Sequence, residues 1–197
     1  MPRVSEEHLE RRRQQILDAA RACFTRKGFY ETSMQDIFQE SGLSAGAVYR
    51  YFKSKNDLIL AIAAQNQPLV ARIIDDLADA AEPPPLDEIM AALARKVISL
   101  LGDDGALRVA PQGWAAATYD PYVGEIVQGI LLNTRTRFVR LAERLRATGR
   151  LAPDADPEAV GATLLCIMPG FVLQRLILGD IDDGTLRAGL RALLGTP

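Results

Sequence analysis

Apolar residues recur at helical spacing along almost the whole chain, and no stretch alternates with the two-residue period of a strand. Ile16, Ala20, Cys23 and Phe24 stand at i, i+4, i+7 and i+8. Gly28 follows as a left-handed stop, with Phe29 placed to pack back on Phe24. The spacing predicts a helix over 6–27. Thr32-Ser33-Met34-Gln35-Asp36 offers an N-cap with a Gln or Asp three positions on, so a second helix runs from near Ser33 to Ser41-Gly42. Ser44 caps a third, short helix through about Tyr51, and Ser54-Lys55-Asn56-Asp57 opens a fourth.

Leu58, Ile62, Leu69, Ile73 and Leu77 carry the fourth helix to about Ala81. Pro68 removes one backbone hydrogen bond and crowds the carbonyl of Ala64, which predicts a kink or break over 64–68. Three prolines at 83–85 make a stiff linker. Leu86, Ile89, Met90, Leu93, Val97, Leu100 and Leu101 line a fifth helix, closed by a turn over 102–105, and a shorter helix containing Trp114 occupies 106–119. Asp120-Pro121 and Asp156-Pro157 each read as N-cap and first helical residue; the first opens a helix that reaches Gly149. The second opens one that is apolar nearly all round over 160–178 and contains Pro169, and a last helix spans 181–194. The expected fold class is all-α, with about nine helices and no internal repeat.

Composition narrows the function. The 197 residues are 48% hydrophobic and 24% charged, as in soluble globular proteins. A single histidine, His8, excludes His-cluster metal sites and His-dependent catalytic triads, so neither metal, cofactor nor catalytic residue is expected. The basic start is followed by no apolar signal-peptide core, and the nearly uncharged run 160–173 is about 14 residues against the roughly 20 needed to cross a bilayer. A cytoplasmic protein without a membrane span is expected. Residues 1–55 carry ten Lys/Arg against seven Asp/Glu, a net of +3, while the remainder is −5. A basic head on an acidic body is the electrostatic outline of a nucleic-acid contact.

Two short helices joined by a glycine turn, with Met34, Ile37, Phe38, Leu43 and Val48 available to pack them on the first helix, form a helix-turn-helix. In that motif the second helix enters the major groove. Thr32 or Ser33, and Ser44, present hydroxyls and free amides suited to phosphate oxygens. Tyr49, Arg50 and Tyr51 carry donors at their tips, and Lys55 stands at the start of the next helix, pointing at the same phosphate backbone. The run SMQDIFQESGLSAGAVYRYFKSKNDL, preceded by KGFYET, closely resembles the N-terminal domain of the tetracycline-repressor (TetR) family of bacterial transcriptional regulators. The resemblance implies that Ala45, Gly46, Ala47 and Tyr49 approach base edges and that Met34 and Gln35 touch the groove rim. Ala45, Gly46 and Ala47 offer no donor, so direct readout leans on Gln35, Tyr49 and Arg50 or on DNA shape. Phe38 replaces the small residue usual at the helix crossing. Arg11, Arg12 and Arg13 suit either a solvated face or a phosphate or minor-groove contact, and the six arginines over 135–150 read as a solvated, salt-bridged face.

The resemblance further implies a head over 1–55 and an effector-binding, dimerising body over 56–197. Its partners would be double-stranded operator DNA, a small-molecule effector and a second copy of the chain. Candidates to line the effector cavity are Met90, Gln112, Trp114, Tyr119, Tyr122, Asn133, Arg137, Phe138, Met168 and Phe171, each of which taken singly also suits a core position. Candidates for the dimer face are Val160, Leu164, Ile167, Val172, Leu176 and Ile177 on the eighth helix and Leu190 on the ninth. Cys23 and Cys166 read as small core residues, with redox sensing the alternative. The favoured function is an effector-responsive repressor; the rival is an α-helical small-molecule-binding protein or enzyme with an incidental basic head.

Overall fold

The structure, a computed structural model, describes residues 6–102 and 105–195. Among these residues the regular structure is nine α-helices and one 3-10 turn, without a strand. In chain order the elements are α1 (Glu6–Lys27), α2 (Met34–Ser41), α3 (Ala45–Tyr49), α4 (Lys55–Asp79), α5 (Leu86–Leu100), the 3-10 turn (Ala106–Val109), α6 (Ala110–Ala116), α7 (Pro121–Ala147), α8 (Pro157–Ile177) and α9 (Asp183–Leu194). Asp103 and Asp104 of the expected 102–105 turn lie outside the described residues.

The chain divides into two compact units. One ends at Asn66 and takes in the stretch up to Val127 that contains α6; the other holds 67–102 and everything from Gln128 onward. In the first unit Ile16, Leu17, Ala20, Cys23 and Phe24 bury one stripe of α1, and Ile37 and Val48 are the buried anchors of α2 and α3. Gly28 adopts φ 84°, and the Phe24 and Phe29 rings lie 5.4 Å apart, the expected ending of α1. The second unit is built around Ile74, Ile89, Met90, Leu93, Phe138, Leu141, Leu145 and Leu164, contributed by α4, α5, α7 and α8. Leu186 and Leu190 of α9 pack against that cluster.

Four expectations are corrected. Of the kink or break expected at Pro68, the break does not occur: Ala64 and Pro68 are both exposed, so the carbonyl deprived of its donor lies on the solvent side while Ile62 and Ile74 stay buried. The third helix stops at Tyr49, since the Tyr51 and Phe52 amides both return to the Val48 carbonyl (2.9 and 3.1 Å) and Asp57 takes the Lys53 and Ser54 amides. The helix expected over 106–119 is a 3-10 turn followed by α6, with Pro111 in its first turn. The apolar run near 160 is part of a 21-residue helix, α8, with a mean hydropathy of 1.7 over its most apolar stretch, which by length and composition alone would suffice to cross a bilayer. Within the protein Leu164, Phe171 and Val172 bury one side of that helix.

Helices α7 and α8 meet through Gly161, where an added Cβ would stand 2.6 Å from Cγ2 and 2.8 Å from the backbone nitrogen of Val139. Gly161→Ala should therefore destabilise the protein by about 1–3 kcal/mol, read as a lower urea midpoint at unchanged m-value. Gly129→Ala, in open space on α7, is the control and should stabilise slightly. Equal effects at the two sites would disprove the close-contact argument.

Candidate nucleic-acid interface

α2 and α3 are bounded by side-chain caps and a left-handed glycine, which sets the motif as a rigid corner. The Ser33 hydroxyl accepts the Asp36 amide (3.1 Å) while Asp36 accepts the Ser33 amide (2.8 Å), a reciprocal capping box. Gly42 closes α2 at φ 65°, and Ser44 accepts the Ala47 amide (3.3 Å) to start α3. Gln15 of α1 donates to the Ser41 carbonyl (2.7 Å), fastening the corner to the first helix.

The corner leaves Ser33, Gln35, Ser44, Ala45, Gly46, Tyr49 and Arg50 exposed, with Met34, Ala47 and Tyr51 half-buried. Phe38 packs edge-on against Tyr49 (ring centroids 5.3 Å), which sets the Tyr49 ring on α3. Of the alternatives Thr32 and Ser33, Thr32 is corrected to a structural role. It is buried, and its hydroxyl donates to the Gly28 carbonyl (2.7 Å), with the Cys23 carbonyl at 3.3 Å.

Lys55 departs from expectation as well. Its Nζ donates to the carbonyls of Phe29 (2.8 Å) and Tyr30 (3.1 Å) and lies 4.9 Å from the Phe29 ring centroid, so two of its three N–H groups serve the turn after α1. Burial pushes its ammonium below the ordinary lysine range. At the end of α1, Lys27 pairs with Asp36 and Arg26 with Glu40 (2.7 Å), which neutralises part of the basic head. The Lys27 hydrogen bond, then the Ser33 amide and hydroxyl, hold the Asp36 carboxyl well below the usual carboxylate range. Arg13 leans over the Phe52 ring (5.6 Å) and Arg12 donates to Gln15 (2.8 Å), while Arg11 is exposed.

The effector candidates fall in both units. In the first, Gln112 bonds backbone atoms of Phe24 and Phe29, Tyr119 lies against Tyr30 (6.3 Å between centroids), and the Tyr122 hydroxyl donates to Asp57 (3.2 Å), whose charge raises the phenol's pKa; Trp114 is half-buried. In the second, Met90 and Phe138 share the central cluster, Met168 packs against it, and Phe171 is buried. Asn133 Oδ1 accepts from Gln67 (3.0 Å) and Arg137 (2.6 Å), and Arg137 pairs with Asp75 (3.1 Å), so these polar groups satisfy one another.

Of the dimer candidates, Leu164 and Val172 are corrected: both are buried within the protomer. Val160, Ile167 and Leu190 are partly buried against the central cluster, Leu176 is half-buried, and Ile177 is 74% exposed. Leu173 and Leu193, which sequence reasoning did not name, are exposed too. Cys23 is buried, which raises its thiol pKa, whereas Cys166 is exposed on α8 and is no core residue. Of the arginines over 135–150, three are salt-bridged, while Arg144 and Arg146 donate to backbone carbonyls. Arg135 meets Glu158 (3.6 Å), and Arg137 and Arg140 meet Asp75 and Asp79 of α4, partners that local charge patterning missed.

The family model for bacterial regulatory proteins of the tetR family matches residues 16–62, and that for the C-terminal part of BetI-type transcriptional repressors matches 85–196, over half of the chain. A transcriptional repressor of Mycobacterium tuberculosis is 40% identical over 73 residues, which span 37% of this chain and about two fifths (39%) of that one. Among solved structures, GusR of Salmonella enterica superposes with a TM-score of 0.73 at 26% identity, covering 98% of this chain and 100% of that one. The complex of SmeT with triclosan gives a TM-score of 0.75 at 26% identity, covering 91% and 89%; SmeT is the repressor of a Stenotrophomonas maltophilia multidrug efflux pump.

Proposed function

The chain belongs to the TetR family of bacterial regulatory proteins, and from that premise we propose that it represses transcription as a homodimer released from a near-palindromic operator by a small-molecule effector. The observation that carries this reading is the doubly capped corner at 33–49, which exposes Gln35, Tyr49 and Arg50 from a rigid frame. Residues 1–55 are the DNA-reading head and 56–197 the effector-binding and dimerising body. Ser33 and Ser44 meet phosphates, Gln35, Tyr49 and Arg50 supply donors, and Ala45, Gly46 and Ala47 permit close approach to base edges. Two copies related by a two-fold axis would present their α3 helices about one helical turn of DNA apart, ~34–36 Å. SmeT solved with triclosan supports a small-molecule effector. The reading involves no catalysis and no cofactor, and its place of action is the cytoplasm.

A gel shift on the duplex upstream of its own gene, in excess competitor DNA, tests the reading. Binding no tighter than to the competitor would defeat it and favour the α-helical binding-protein alternative. Two variants on the same duplex separate two residues. Arg50→Ala should weaken binding to this duplex more than to the competitor, because its donors read base edges. In a salt titration Lys55→Met should weaken binding at unchanged log–log slope, because its ammonium is bonded to the Phe29 and Tyr30 carbonyls. A slope lowered by about one unit in Lys55→Met would restore a phosphate role to Lys55.

A further inference from the structure

The connection between α1 and α2 lies outside any helix, so its backbone polar groups need partners from elsewhere. Two side chains distant in sequence supply them. Lys55 takes the carbonyls of Phe29 and Tyr30. Gln112, on α6, accepts the Phe29 amide with its Oε1 and donates through Nε2 to the Phe24 carbonyl at 3.4 Å. One side-chain amide thus spans the last turn of α1 and the residue after Gly28. Phe29 is 6% exposed, so its N–H has no ready exchange for water. The same turn carries Thr32, whose amide and hydroxyl both return to the Gly28 carbonyl (3.2 and 2.7 Å), and Thr32 leads directly into the Ser33 cap of α2.

We infer that Gln112 is a positioning residue for DNA binding: by holding Phe24 and Phe29 it sets where α2 begins, and with it the corner that aims α3. Sequence reasoning places Gln112 on an effector cavity; the geometry instead makes α6 a brace of the reading head. A displacement of α6 would then reach the head through this amide, whatever happens along α4. The inference rests on the DNA-binding reading above.

The test uses the full chain and the duplex upstream of its own gene. Gln112→Met keeps the reach of the side chain and removes both bonds; Gln112→Glu keeps the acceptor for the Phe29 amide. The Met variant should bind the duplex about tenfold more weakly, the loss of roughly one buried hydrogen bond, at unchanged salt slope and with faster amide exchange over 28–33. The Glu variant should recover affinity to within about threefold of the unmodified protein. A purely structural role would lower the melting temperature of Gln112→Met and leave the affinity of the folded protein unchanged, and that result overturns the inference. Should Gln112→Met fail to fold, the unmodified protein decides. Linkage is reciprocal, so saturating duplex must slow amide exchange in α6 (110–116) as well as in α2 and α3, and exchange in α6 indifferent to DNA overturns the proposal. An unmodified protein that does not bind the duplex at all defeats the DNA-binding reading itself, a distinguishable failure.

Discussion

Replacing Arg187 and Arg191 together by Ala is expected to destabilise the protein by about 3 kcal/mol, more than the removal of the acid they share. Asp87 is 1% exposed in the first turn of α5. Its Oδ2 accepts from Arg187 Nε (3.3 Å) and from Arg191 Nε and Nη2 (3.2 and 3.0 Å), both on α9. Stripped of both arginines, the carboxylate stays buried with only the α5 N-terminus to favour its charge, an uncompensated burial that costs several kcal/mol. The arginines are 41% and 44% exposed and both also meet Glu88, so after Asp87→Ala they keep that carboxylate and water as partners and the loss is only that of the bonds, about 1–2 kcal/mol. For a chain of this length the double variant should melt about 6–12 °C lower, with amide exchange in α9 accelerated first. If Asp87→Ala proves the more damaging change, the buried charge is not what the arginines offset.

This cluster also shows where sequence reasoning stops. The caps at Ser33, Ser44 and Asp156 and the glycine stops at 28, 42 and 149 were legible because each is a local device with a fixed offset from the helix it bounds. The helix-turn-helix was legible for the same reason. Asp87 with Arg187, and Gln112 with Phe29, join residues 100 and 83 positions apart, and no periodicity marks such pairs. A glutamine on an amphipathic helix looks the same in sequence whether it faces a ligand or a backbone amide. Pro68 misled for a related reason, since the cost of an internal proline depends on whether the freed carbonyl meets water. The start of α9 moved from 181 to Asp183 because Asp182 accepts the Thr185 amide (2.7 Å), a cap hidden among neighbouring acids.

Ile177→Asp should leave the protomer's fold intact and lower operator affinity by about 10²–10⁴. Ile177 is 74% exposed, and exposed substitutions of this kind change protomer stability by less than about 0.5 kcal/mol. It shares a face of α8 with Leu173, one turn earlier and 40% exposed, and the same face carries the exposed Ala159, Thr163 and Cys166 toward the N-terminus. This stripe of small and apolar residues is what a second copy would cover in the proposed homodimer. A two-fold axis places the substitution on both sides of the interface, so two carboxylates would be desolvated without partners. A monomer then meets each half-site separately and loses the gain in effective concentration that links them. Light scattering should show the unmodified protein at twice the chain mass and the variant at the chain mass, with superimposable circular dichroism. Leu164→Asp is unsuitable for the same purpose, because Leu164 is 2% exposed inside the protomer and its loss would unfold the subunit. An Ile177→Asp protein that stays dimeric and binds the operator like its parent would move the interface off this face of α8.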